Sequence, residues 1–170
     1  MNNEWPFQDV NAMNAYYGDP DTNRDGHPNQ IWEAENIMRV IPPYRMFLSW
    51  NPSQALKTIS IHKKCAASLA RILARIAAEI PPDDIEKYHL NRFGGAYNFR
   101  LMRGLNALSI HSWGAAIDLA PELNPMGVGY GNKPNMMPLS AVQIFKDEGW
   151  TWLGLCHRPD AMHFQAANLH

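Results

Sequence analysis

The chain has 170 residues, of which 46% are hydrophobic and 18% are charged. This length and composition predict one folded domain over residues 1–170 with a core of its own, and they exclude global disorder. With 15 basic and 16 acidic residues the net charge is −1, which excludes the basic surface typical of nucleic-acid-binding proteins. We therefore expect no nucleic-acid partner.

The N-terminus has neither the basic start nor the apolar run of a secretory signal, and no stretch approaches the roughly 20 apolar residues of a membrane span. We expect a chain without a signal peptide that is made in the cytoplasm, has no membrane partner and is a monomer. The two cysteines, Cys65 and Cys156, are far apart and lack CxxC spacing, which favours two buried free thiols over a disulfide.

Residues 1–50 are rich in turns and predict an N-terminal extension of short helices and loops that packs on the rest of the domain. One helix is predicted over residues 9–17, with Gly18 placed to end it. A second is predicted over residues 31–38, ahead of a Pro-Pro pair at residues 42–43.

The segment between these two helices matches the first half of a calcium-binding loop, Asp21-Thr-Asn-Arg-Asp-Gly26. The twelfth position of such a loop is normally Glu, and here it is Trp32. A polar surface turn is therefore the better interpretation of this segment.

The strongest helical pattern covers residues 62–80. Five apolar side chains recur at the spacing of one helical face: Leu69, Ile72, Leu73, Ile76 and Ile80. A Pro-Pro pair at residues 81–82 ends the pattern, and His62 at its start is expected to face solvent. The pattern predicts a helix that packs on a sheet.

A later helix is predicted from Ser140 to just before Gly149, with Ser140 and Gln143 at the spacing of a capping box. Short β-rich segments predict strands over residues 44–50, 97–101, 115–119 and 161–165. Loops, and not regular helices, separate these strands. The order of elements therefore predicts an α+β fold with a small, largely antiparallel sheet flanked by helices.

His111 and Asp118 are candidate metal ligands. Ligand atoms of one zinc ion lie about 3–4 Å from each other, whereas seven residues of straight helix span about 10 Å. The pair therefore needs a turn between its members, and Gly114 permits one. On the predicted strand over residues 115–119, Asp118 points to the face opposite Ile117 and Leu119. This places a carboxylate among apolar neighbours, where it is costly unless it is paired or bound to metal.

His163 would supply a third ligand from a separate strand. Two histidines and one carboxylate leave the fourth position of a zinc ion open, as in catalytic sites. Asp160, three residues before His163, has the position of a general base, and Arg100 and Arg103 are candidates to polarise a carbonyl. Histidines are more often core or surface residues than ligands, so spacing alone leaves both interpretations open.

Three segments resemble the signature of the D-alanyl-D-alanine carboxypeptidase and L-alanyl-D-glutamate endopeptidase family of zinc peptidases: residues 97–100, 109–118 and 160–164. The pattern is SxHxxGxAxD, followed later by an acidic residue, two spacers, His and an aromatic residue. The resemblance covers residues 92–165. The Trp-Pro pair at residues 5–6 and the segment 17–20 are also similar to phage-encoded members.

The resemblance implies one Zn²⁺ per chain, held by His111, Asp118 and His163 in a metal-site core over residues 92–165. It also implies that Asp160 is the general base. Arg100 would contact the substrate, with Arg103 as a weaker substitute, and Ser109 would contact the substrate or support a ligand. The implied fold is of the Hedgehog and DD-peptidase type.

The implied activity is zinc-dependent hydrolysis of bacterial peptidoglycan stem peptides, by a carboxypeptidase or an endopeptidase. Such an enzyme without a signal peptide would be an endolysin that reaches the cell wall after release. Two alternatives stay open: a non-catalytic zinc-binding interaction module, and a cytosolic D-alanyl-D-alanine dipeptidase. Asp160 argues against the binding module, which needs no base beside its metal.

Overall fold

The computed structural model describes residues 5–170, so the first four residues of the predicted extension lie outside the described part. The helices are α1 (Val10–Tyr17), α2 (Gln30–Asn36), α3 (Lys63–Glu79), α4 (Pro82–Lys87) and α5 (Leu139–Asp147), with one 3₁₀ helix over Ile110–Trp113. The strands are β1 (Ile37–Val40), β2 (Phe47–Leu48), β3 (Asn51–Ala55), β4 (Ile59–His62), β5 (Arg92–Gly95), β6 (Ala116–Leu119), β7 (Thr151–Leu153) and β8 (Asp160–Gln165). None of the helices within residues 5–170 is long and apolar enough to cross a bilayer.

Six strands form the main sheet in the order β3-β2-β5-β6-β8-β7, and β1 and β4 form a separate antiparallel pair. Within the main sheet only the β2–β5 pairing is parallel. The predicted α+β fold with a largely antiparallel sheet is confirmed.

The long predicted helix is confirmed as α3. Its apolar face is fully buried at four of the five predicted positions and 4% exposed at the fifth. α3 packs against α5 and the β1–β4 pair, and α5 packs against β7. Phe145 of α5 stacks on Phe164 of β8 with ring centroids 3.8 Å apart, so the helices are joined to the sheet on the strand that also carries His163.

The N-terminal segment is tied to the end of the chain. The Gln8 amide donates to the Asn168 carbonyl (2.9 Å), and the Asn168 amide donates to the Pro6 carbonyl (2.8 Å). The Tyr17 hydroxyl, at the end of α1, donates to the Ala166 carbonyl (2.6 Å). The predicted helix over residues 9–17 is confirmed, including its end at Gly18. These bonds place the N-terminal segment beside β8.

The second helix ends two residues earlier than predicted, because the chain passes directly from Asn36 into β1. Cys65 and Cys156 are free thiols as predicted, although only Cys65 is buried. Asp19 pairs with Arg24 at 2.7 Å in the loop after α1. Residues 20–23 of this loop form a turn and residues 25–27 a bend, and residues 22–27 are exposed, which agrees with a polar surface turn.

Several predicted elements are wrong. The strand predicted over residues 97–101 is absent, and of these residues only Leu101 forms an isolated bridge, to Leu108. A strand lies earlier, at β5, which contains the Gly94-Gly95 pair. A Cβ at Gly94 would lie 3.0 Å from the Asp118 Cβ, so glycine is used here for close strand approach. The strand predicted over residues 44–50 is reduced to β2.

The predicted capping box is also wrong. The α5 helix starts at Leu139 after Pro138 and has no side-chain cap. His62 was expected to face solvent but is fully buried, because its ring caps α3 and contacts α1 from inside. Sequence reasoning missed five strands altogether, β1, β3, β4, β5 and β7, together with the short helix α4.

Candidate metal centre

His111 is positioned by the 3₁₀ helix and the glycine that ends it. The Ser109 hydroxyl accepts a hydrogen bond from the His111 amide (3.4 Å) and caps this helix. Gly114 follows with φ +64°, and a Cβ there would lie 2.8 Å from the His62 backbone nitrogen. Only glycine fits this left-handed turn without strain, so the turn required between His111 and Asp118 depends on Gly114.

Asp118 and His163 come from adjacent antiparallel strands. They are direct register partners of β6 and β8, so their side chains lie on the same face of the sheet. The His163 Nδ1 atom lies 3.0 Å from Asp118 Oδ1. The turn at Gly114 brings His111 Nε2 to 3.3 Å from Asp118 Oδ2.

The three side chains form one cluster of potential ligands. One donor atom from each of His111, Asp118 and His163 lies within 4.8 Å of the others, and within residues 5–170 they are the one such group of His, Cys, Asp or Glu. His111 and His163 are only 2% and 7% exposed. The structure therefore brings together all three residues that the sequence singles out as ligands.

The hydrogen bonds behind the histidines test whether a metal fits. His111 Nδ1 lies 2.6 Å from the Ala96 backbone carbonyl, which can only accept, so Nδ1 carries the proton and Nε2 has a free lone pair. His163 Nε2 faces Gln165 Oε1 (3.1 Å), so its Nδ1 is the nitrogen that faces His111, at 3.2 Å. Two ring nitrogens and a carboxylate that converge in this way fit a divalent cation such as zinc.

The ionisation of the cluster follows from its charges. Burial alone would raise the pKa of Asp118, but His111 and His163 together hold that pKa below its ordinary value. Burial alone would lower the pKa of His163, but the Asp118 carboxylate raises it. The carboxylate is therefore ionised, as a metal ligand must be.

Asp160, at the start of β8, lies in the same pocket as the three ligand candidates. Its Oδ1 atom is buried and has no hydrogen-bond partner among the described residues. Burial raises the pKa of Asp160 to about 6, against the opposing effect of His163. A carboxylate that titrates near neutral pH can accept and return a proton during a reaction.

The pocket beside the cluster has a volume of about 160 Å³ and an arginine-rich wall. Arg100, Arg103 and Ser109 all line it, as does Arg158, which sequence reasoning missed. Arg158 donates through Nη2 to the Arg103 carbonyl (3.3 Å). The sequence signal that could have identified Arg158 is its position two residues before Asp160.

Gln8 and Gln165 also line the pocket and were missed. Gln165 lies two residues after His163 on β8, and the two-residue period of a strand places both on one face. Gln8 had no signal, because its position depends on the pairing of the N-terminal segment with Asn168.

The α+β fold brings two histidines and a carboxylate together in the pocket of Asp160, whose Oδ1 has no hydrogen-bond partner among residues 5–170. This arrangement defines a candidate hydrolase centre. Residues 103–166 match the family model for D-alanyl-D-alanine carboxypeptidase. The matched segment contains His111, Asp118, Asp160 and His163, and it supports a peptidase that acts on peptidoglycan-like peptides. Arg100 lies just before it. The comparisons found no match among curated proteins and none among solved structures.

Proposed function

We propose that this chain is a zinc-dependent peptidase that hydrolyses peptide bonds in bacterial peptidoglycan stem peptides. One observation carries the proposal: Asp160, a carboxylate whose buried oxygen has no partner among the described residues, lies in the same pocket as the convergent His111–Asp118–His163 cluster. A binding module needs the cluster but not the carboxylate.

His111, Asp118 and His163 would hold one zinc ion, which supplies Lewis acidity for polarising a carbonyl and activating water. Asp160 accepts the proton of the attacking water and returns it to the leaving amine. Its raised pKa suits both transfers near neutral pH. These two roles together make the pocket suitable for amide hydrolysis.

The guanidinium groups at the pocket would orient the substrate. Stem peptides carry carboxylates, and arginine binds a carboxylate through two parallel hydrogen bonds. Arg100 and Arg103 both line the pocket. Arg100 is the first candidate and Arg103 the second, as the family resemblance implies. Ser109 caps the turn that carries His111 and also reaches the pocket, so it supports the ligand and is open to the substrate.

We further propose that residues 1–170 form a single domain and that the protein is a monomer. Buried residues of α1, α2, the sheet and α3 belong to one hydrophobic core, which supports this reading. The similarity of residues 5–6 and 17–20 to phage-encoded members favours an endolysin that is made in the cytoplasm and reaches the wall after release.

The test is digestion of purified sacculi by the zinc-loaded protein, with released fragments identified by mass spectrometry. We expect release that a chelator abolishes, and new termini that distinguish a carboxypeptidase from an endopeptidase. Asp160→Asn should lower the rate by about 10²–10⁴-fold while zinc stays near one per chain. Asp83→Asn, an exposed carboxylate on α4, is the matched control and should cleave at the wild-type rate.

Each other outcome contradicts a defined part of the proposal. Wild-type cleavage by Asp160→Asn would remove Asp160 from the mechanism. Zinc at one per chain without cleavage of sacculi or of free D-alanyl-D-alanine would identify a binding module. Cleavage of the free dipeptide alone would identify a dipeptidase.

A further inference from the structure

Gln165 contacts Nε2 of the His163 ring, the nitrogen that does not face Asp118. It is 1% exposed, and its Oε1 atom is 3.1 Å from His163 Nε2. Its amide nitrogen donates to the Ala167 backbone carbonyl (3.2 Å) and to Gln8 Oε1 (3.1 Å). A backbone carbonyl can only accept, so the NH₂ group must face Ala167 and the oxygen must face His163.

This orientation determines which nitrogen of His163 is free. Because Gln165 Oε1 can only accept, Nε2 of His163 carries a proton, and Nδ1 is the ring nitrogen that is available to a metal ion. Nδ1 faces Asp118 Oδ1 at 3.0 Å and His111 Nε2 at 3.2 Å. A ring with the opposite tautomer would present an N–H where a ligand atom is required.

We infer that Gln165 is a positioning residue of the metal centre, which holds His163 in its ligating tautomer and orientation. The inference builds on the metal centre of the proposed function. Partners of this kind typically change metal affinity by about 10–100-fold when they are removed.

The N-terminal segment completes this arrangement from outside the segment that matches the family model. Gln8 is held in place by the backbone pairing with Asn168, and its Oε1 accepts from the Gln165 amide. Gln8 is therefore the outer member of a chain of hydrogen bonds from the N-terminal segment through Gln165 to His163. We expect its effect on the metal to be weaker, because Ala167 alone still orients the Gln165 amide.

Zinc affinity, measured by competition with a chromophoric chelator, tests this inference. Gln165→Met keeps the length of the side chain but removes the acceptor, and we expect about 10–100-fold weaker binding. Gln165→Glu keeps the acceptor for His163 but loses the donor to the Ala167 carbonyl, so its loss of zinc affinity should be smaller than that of Gln165→Met. Gln8→Met should lose less than about 10-fold, and Gln143→Met, on the exposed face of α5, should lose nothing.

A second readout is the nitrogen of His163 that binds the metal in the zinc-loaded wild type, from imidazole ¹⁵N NMR with the signal assigned by its loss in His163→Ala. We expect zinc on Nδ1 and the proton on Nε2. Zinc on Nε2 in the wild type, or wild-type zinc affinity in folded Gln165→Met, would overturn the inference. If Gln165→Met does not fold, the spectrum of the zinc-loaded wild type decides. Neither readout depends on peptide cleavage, so failure of the proposed activity and failure of this inference are distinguishable.

Discussion

Two regions of the molecule bury histidines in opposite ways. At the start of α3, His62 is fully buried, and both of its ring nitrogens have backbone partners: Nε2 faces the Tyr17 carbonyl (3.0 Å) and Nδ1 accepts from the Lys64 amide (3.1 Å). In the metal centre, His111 and His163 each have one nitrogen satisfied from behind, and the other two nitrogens face each other.

The difference shows that burial alone does not identify a ligand. Both nitrogens of the neutral His62 ring have hydrogen-bond partners, and burial lowers the pKa of His62 to about 4. In the candidate metal centre one nitrogen of each histidine faces Asp118 and the other histidine, an arrangement that a bound cation would satisfy. The number of ring nitrogens already satisfied by the protein therefore separates a structural histidine from a candidate ligand.

The largest expected effect is on zinc binding. His111→Ala removes one of the three proposed ligands, so zinc affinity should fall by more than the roughly 100-fold typical of outer hydrogen-bond partners. His62→Asn keeps an acceptor for the Lys64 amide and should bind zinc within a few-fold of the wild type. Chelator competition measures both, and equal losses in the two variants would break the comparison.

The next effect is on stability in acid. His62 titrates at about pH 4 in the folded chain and near 6.5 when unfolded, so between these values the unfolded state binds more protons. The free energy of unfolding should therefore fall by roughly 3 kcal/mol from pH 6.5 to about 4 on account of His62. Urea unfolding of the metal-free protein at several pH values measures this, and in His62→Asn that part of the slope should disappear. An unchanged slope would show that the ring is not held neutral.

Gly114 connects the two regions, because its carbonyl accepts from the His62 amide (2.7 Å) and its turn carries His111. Gly114→Ala forces a side chain into a left-handed turn and places its Cβ 2.8 Å from the His62 nitrogen. We expect about 2–3 kcal/mol lower stability together with weaker zinc binding. Thermal unfolding and zinc competition measure the two effects. Gly104 also has a left-handed backbone, but a Cβ there would meet no atom within 4 Å. Gly104→Ala therefore measures the cost of backbone strain without the contact that Gly114→Ala makes with His62.

The smallest effect is expected for an exposed histidine. His170 lies 3.6 Å from Asp9 and its side chain is 66% exposed, so solvent screens the pair. His170→Ala should change the free energy of unfolding by less than about 0.5 kcal/mol and leave zinc affinity unchanged. A larger loss in urea unfolding would mean that exposure is a poor guide to the role of a histidine in this chain.

Local pattern was enough to predict much of the fold. The apolar face of α3, the end of α1 at Gly18 and the strands around Asp118 and His163 follow from spacing within a few residues. The errors arise where a residue serves a distant contact. β5 was not predicted, and its Gly94 allows a close approach to Asp118 on β6. His62 was expected to face solvent, but its ring caps α3 and contacts the carbonyl of Tyr17, 45 residues earlier.

The sequence by itself determined the candidate ligands, the need for a turn at Gly114 and the α+β class, because each of these rests on residue chemistry and local periodicity. Only the tertiary structure decided which ring nitrogens are free, that Arg158 joins the pocket wall, and that Gln8 reaches Gln165, 157 residues away in the chain. Those features depend on strand pairing and on the packing of the N-terminal segment against β8. Contacts of this kind join segments with no shared local pattern, so spacing within either segment does not encode them.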